Sequence, residues 1–226
     1  TSPLKQIVST DFEMKLFGFL PDQVAARIRS TGGNWQSLSL NQSVWCGAAG
    51  FCLASLLVFA TVAFGERWMY RQLGLTGAYV SWTLLFILAG GGALSRLVIG
   101  PGRLARFYVL FSVAFLGYAV GWVAAYFAMP NKTGEWIGSI AGSALMGLVL
   151  AWAFGALSAA PKLIAVLFTA NSVGYFLGDF LNNTLSGKVG MLLWGVAFGL
   201  GLGAGLGAAL YFAQSPLRAR LNAAQI

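Results

Sequence analysis

Residues 189–213 read VGMLLWGVAFGLGLGAGLGAALYFA, and no charge interrupts the chain between Lys188 and Arg218. A helix needs roughly 17–25 predominantly apolar residues to cross the hydrocarbon of a bilayer, and this run has that length. A lone strand in lipid would leave its backbone N–H and C=O groups without partners, whereas a helix bonds them internally. Glycine recurs at Gly195, Gly199, Gly203 and Gly207, which on a helix fall in one stripe. The stretch therefore reads as a transmembrane helix with a face bare enough for another backbone to approach closely. Gly201 and Gly205 form a second small strip beside the first.

Working outward, the charges bracket similar runs. No charge lies between Arg29 and Glu66, and the apolar part spans about Val44–Gly65. A second run covers about Ala78–Leu94, a third about Phe107–Met129 and a fourth about Trp136–Leu157. The fifth lies between Lys162 and Asp179 and continues through Phe180 and Leu181. With 189–213 these predict an all-α, polytopic membrane protein of six transmembrane helices. Composition agrees: of 226 residues, 58% are hydrophobic and 9% charged, with a mean hydropathy of +0.76. A soluble domain carries about 25% charged residues, and one of this size still exposes too much surface to hide such an apolar content.

The fourth run offers Gly138 and Gly142, followed by Gly147, Ala151 and Gly155, and the third offers Gly117, Gly121 and Ala125. Tight helix packing is the reading for all of these, whether within the chain or against another subunit. The halves also resemble each other. Trp45-Cys46-Gly47 opens the first span and Trp136-Ile137-Gly138 the fourth. Tyr126-Phe127-Ala128 closes the third and Tyr211-Phe212-Ala213 the sixth. Three helices per unit would invert the second copy, an arrangement that places transporter sites near the midplane. Helices two and five show no such match, so the duplication stays an open alternative.

Three regions are expected. Residues 1–43 form an amphipathic segment and linker, 44–214 the six-helix domain, and 215–226 a short basic tail. Thr10 and Glu13 fit a capping box, with Phe12, Leu16, Phe17 and Leu20 as an apolar face. Pro21 suits the first turn of a second short helix, with Val24, Ala25 and Ile28 on one side. Such helices suit a membrane surface or a partner. Thr1 to Ser9 lacks the basic-then-apolar pattern of a cleaved leader.

The formal net charge is +8. Its basic residues stand singly between apolar runs, without the interleaved aromatics of a nucleic-acid groove, so no nucleic-acid partner is expected. They orient the chain instead. Lys5, Lys15, Arg27, Arg29, Arg96, Arg103, Arg106, Lys162, Arg218 and Arg220 fall on one side, and Arg67, Arg71, Lys132 and Lys188 on the other. The bias places both termini on the cytoplasmic, matrix or stromal side of a bacterial inner membrane or an organelle membrane.

Few groups carry chemistry. There is no histidine, so a general base, haem ligand or zinc site of the usual kind is missing. Cys46 and Cys52 point to different faces of one helix and read as small apolar fillers. No phosphate-binding or dinucleotide motif occurs. The expectation is no enzyme, no metal and no cofactor. Asn171 lies near the middle of the fifth span, beside Thr169 and Ser172, either bonding a neighbouring helix or lining a hydrated path. Asp179 is the one acidic residue that looks partly intramembrane, either functional or paired with Arg67, Arg71 or Lys188. Together Asn171 and Asp179 form the candidate polar pathway. Trp45, Trp68, Tyr70 and Trp136 suit the interfaces. Trp82, Trp122, Trp152 and Trp194 fall inside spans, where they pack or meet a pigment, quinone or lipid.

The leading expectation is a non-catalytic accessory or scaffold subunit, with the bilayer and other membrane subunits or further copies of itself as partners. The alternative is a small-solute, ion or lipid transporter or channel with a polar cavity near Asn171.

Overall fold

The computed structural model describes residues 17–31, 35 and 37–223. Among these every regular element is a helix: α1 (Pro21–Ser30), α2 (Leu40–Leu94), α3 (Arg103–Ala128), α4 (Lys132–Ala153), α5 (Ala160–Leu185), α6 (Gly187–Ala213) and α7 (Ser215–Ala223), with short 3-10 turns at Ser95–Leu97 and Leu157–Ala159. Five helices are long and apolar enough to cross a membrane.

The first two expected spans lie in a single element, α2. Ser39 caps it: its Oγ accepts from Gln42 N at 3.2 Å, while Ser39 N donates to Gln42 Oε1 at 2.9 Å. The helix then runs on between the two expected spans, because Glu66, Arg67 and Gln72 are helix formers in their own right. Only Gly74 departs, with φ 67° and ψ −179°, a conformation open essentially to glycine alone. There the helix doubles back. Phe51 stacks on Phe86 with ring centroids 5.6 Å apart, and a Cβ on Gly50 would lie 3.1 Å from that of Ala93. The arms 40–73 and 75–94 therefore pack side by side.

The remaining helices alternate. Asn131 caps α4 by accepting from Gly134 N at 3.1 Å, and α4 ends at Ala153, before the expected Leu157, because Gly155 turns at φ 64°. α5 is longer than its charges suggested: Pro161 starts it, and both Lys162 and Asp179 sit within its 26 residues.

One end of the bundle is closed by the two terminal segments. Pro21, Val24, Ala25 and Ile28 form the buried side of α1, and that face meets the chain's own bundle. Phe19 stacks on Phe154 with centroids 5.1 Å apart, Phe17 stands edge-on to Trp152 at 5.6 Å, and Val24 fits against Gly100. Burying each such side chain contributes about 1.5–3 kcal/mol. Arg27 and Arg106 both donate to Gly18 O, at 2.7 and 2.9 Å. Asp22 pairs with Arg220 of α7, and Leu217 and Leu221 of that helix are buried. Buried Gln214 ties the end together, donating to Leu97 O at 3.1 Å and accepting from Ile99 N at 2.7 Å. The Thr10–Glu13 capping box and the positions Phe12 and Leu16 lie outside the described residues.

Candidate functional site

The glycine stripe of α6 faces the first arm of α2. A Cβ on Gly195 would lie 2.6 Å from Phe59 Cβ, one on Gly199 2.6 Å from Cys52 Cα, and one on Gly203 2.8 Å from Phe51 Cβ; Gly207 meets the backbone of Ser43. Ser55 uses the closeness to donate to Gly195 O at 2.7 Å. Gly201 and Gly205 face α5, where Gly201 would meet Gly174 Cα at 2.6 Å. Gly138 and Gly142 lie against Trp122 and Tyr118 of α3. Every one of these positions packs within the chain.

Gly142 has a particular consequence. A Cβ there would lie 2.8 Å from the Tyr118 ring and 2.9 Å from Tyr118 O, so its absence lets Tyr118 lie against α4 and reach α5. Tyr118 Oη donates to Asn171 Oδ1 at 2.8 Å, Asn171 Nδ2 donates to Ser139 Oγ at 2.8 Å, and the hydroxyls of Ser139 and Ser172 lie 2.7 Å apart. All of these side chains are buried, Asn171 and Ser139 completely. The network joins α3, α4 and α5 in a low-dielectric interior, where a satisfied set rigidifies and a broken one is costly. Ser143 Oγ is buried one turn further along α4 with no partner, and nothing in the structure accounts for it.

Asp179 belongs to a different cluster. Its expected partners do not reach it: Arg71 Nε donates to Arg67 O, and Lys188 sits 4.6 Å above the ring of Phe64. The base is Lys132, 2.7 Å from Asp179 Oδ2 and 3.0 Å from Glu135 Oε2, because the start of α4 lies beside the last turns of α5. Asn183 Nδ2 donates to the other Asp179 oxygen at 3.1 Å. The Lys132 side chain is 63% exposed, so the pair sits at the border of the span and is screened. Asp179→Asn is therefore expected to change unfolding stability by less than about 1 kcal/mol, measured by denaturant titration in detergent at low and at 0.5 M salt.

The two candidate residues do not form one pathway. They are two helical turns apart, about 12 Å along α5, and share no partner. Tyr175 lies one turn from each, its ring 5.0 Å from that of Trp122 and 5.5 Å from that of Trp194, so aromatic packing separates the polar groups. Among the described residues, no three His, Cys, Asp or Glu side chains gather.

Of the network, sequence reasoning singled out Asn171 and its neighbour Ser172 but missed Tyr118 and Ser139. A signal was present: Ser139 and Ser143 each follow a glycine of the Gly138–Gly142 pair, so a stripe of hydroxyls runs beside the bare face of α4. Compared with protein-family models, curated proteins and solved structures, the chain gives no match.

Proposed function

We propose that this chain is a non-catalytic integral membrane subunit that crosses the bilayer six times and holds other subunits, or further copies of itself, in a larger complex. The observation that carries the reading is the sealing of Asn171, whose side chain is wholly buried and occupied by Tyr118 and Ser139. The groups bonded to Asn171 are spent on joining helices of one chain. The six crossings are the two arms of α2 with α3, α4, α5 and α6. Arg27, Arg103, Arg106 and Arg220 belong to the closed end that carries both terminal segments, which supports placing that end on the cytoplasmic, matrix or stromal side. Leu53, Phe64, Val173 and Phe180 are each more than 60% exposed and serve as the surface for lipid and partners.

The second reading, transport by inverted halves, keeps one supporting observation. Inversion would exchange the pairing of the first arm with α6 for that of α3 with α4, and both are lined by glycines. The other equivalent pairing differs: α5 and α6 touch at Gly174 and Gly201, whereas the second arm and α3 part company beyond Gly90.

Native mass spectrometry after gentle solubilisation tests the first reading, with co-purifying subunits or a defined oligomer expected. A stable monomer without partners, together with solute flux in liposomes that Asn171→Leu abolishes, would replace it with the second.

A further inference from the structure

Charge is divided unequally between the two ends of the bundle. At the closed end the described residues include eight bases and one acid, Asp22. Residues 1–16 add two of each, Lys5, Lys15, Asp11 and Glu13, so the excess of seven stands whatever these pair with. At the other end four bases meet three acids. There Lys132 is held by Asp179 and Glu135.

The closed end holds its cations with neutral groups instead. Arg27 and Arg106 donate to Gly18 O, Arg103 to Val98 O at 3.1 Å and Arg218 to Tyr211 O at 2.6 Å. Lys162 Nζ lies 3.5 Å from the centre of the Phe212 ring, and Arg218 Cζ 3.8 Å from that of Tyr211. Carbonyls and aromatic faces orient a cation without cancelling its charge. Among the described residues, Arg220 alone of these bases meets a carboxylate, that of Asp22.

Lys162 and Arg218 mark one corner of this end. Tyr211 and Phe212 are consecutive in the last turn of α6, with ring centroids 5.6 Å apart, so the two cations flank one aromatic pair. Lys162 is exposed, and beyond it the exposed residues of α5 are Ala165, Thr169, Val173 and Leu177, one on each turn. They form a nearly apolar stripe that starts at a cation and runs along the span. A free anion has no use for the stripe, and an acidic protein segment has none for a face turned to acyl chains. A molecule with an anionic head and long apolar chains fits both.

We propose that this corner binds an anionic phospholipid of the leaflet it faces, with its phosphate against Lys162 and Arg218 and an acyl chain along the α5 stripe. Basic pockets between membrane helices take such headgroups. The aromatic pair keeps both cations at the border of the span. The proposal needs the chain to cross a bilayer but not to belong to a complex, so its failure would leave the scaffold reading untouched.

The test uses the full chain in dodecyl maltoside, titrated with dioleoyl phosphatidylglycerol or dioleoyl phosphatidylcholine, with bound lipid counted by native mass spectrometry. Each Lys or Arg near an anionic membrane surface strengthens binding about fivefold, so phosphatidylglycerol is expected to bind at least about tenfold more tightly than phosphatidylcholine. Lys162→Gln weakens its binding about fivefold, and Lys162→Arg retains it. Lys188→Gln, the same loss of charge at the other end, changes it by less than about twofold. The preference falls as ammonium acetate is raised. Excess inorganic phosphate does not displace the lipid, because it lacks the chains. Equal affinity for the two lipids would overturn the proposal and leave an acidic protein surface as the partner of this end. Equal losses in Lys162→Gln and Lys188→Gln would overturn it as a response to net charge alone, and displacement by inorganic phosphate would overturn it in favour of a free anion.

Discussion

Gly203→Val is expected to unfold the packed bundle or to lower its stability by more than about 3 kcal/mol. Overpacking usually costs about 1–3 kcal/mol when the neighbours are side chains that can move aside. At Gly203 the obstacles are largely backbone: a Cβ would lie 2.5 Å from Gly47 O and 3.0 Å from Ala48 Cα, as well as 2.8 Å from Phe51 Cβ. Relief requires α6 and the first arm to separate, and with them the contacts at Gly195, Gly199 and Gly207. Gly65→Val is the control, since nothing lies within 4 Å of a Cβ there. Thermal unfolding followed by size exclusion in detergent reads the difference. Equal stability of the two variants would mean that the stripe does not hold these helices together.

Asn171→Leu comes second. Leucine has nearly the shape of asparagine, so the substitution changes polarity more than volume. It removes the bonds to Tyr118 and Ser139 and leaves Tyr118 Oη buried without its acceptor. Interhelical hydrogen bonds in bilayers average about 0.6 kcal/mol and reach about 1.7, and a stranded buried hydroxyl costs about 1–3 kcal/mol. A loss of about 2–3 kcal/mol is expected. In a double-mutant cycle, Tyr118→Phe destabilises the wild type but recovers about 1–3 kcal/mol once Asn171 is leucine, because it removes the stranded hydroxyl. Additive losses would show that the two side chains do not act as a unit.

Sequence patterns carried the helices further than their partners. The charge-free run after Lys188 identified α6, and the glycine spacing identified its bare face, because both are properties of one helix. Which helix fills that face depends on the complementary groove formed by Ser43, Gly47 and Phe51, which composition does not distinguish from any other apolar run. The same limit applies to Asn171. Its depth was legible, whereas its partners come from two other helices and depend on the missing side chain at Gly142. Charges misled at the edges: Lys162 and Asp179 lie within α5, near its opposite ends, since a helix extends past the hydrocarbon. Gly74 escaped notice for the opposite reason. The reversal is marked only by the short stretch Gly74-Leu75-Thr76-Gly77, set between good helix formers.

The closed end of the bundle also has a consequence for the order of events during synthesis. The segment 17–30 is made before its partners, Gly100, Trp152, Phe154 and finally Arg220. It cannot settle until the chain has been made as far as Arg220. Through that interval Phe17, Phe19, Val24 and Ile28 remain uncovered by their native partners, and a chaperone or the bilayer surface must shield them. Helix α7 thus finishes the work that α1 begins.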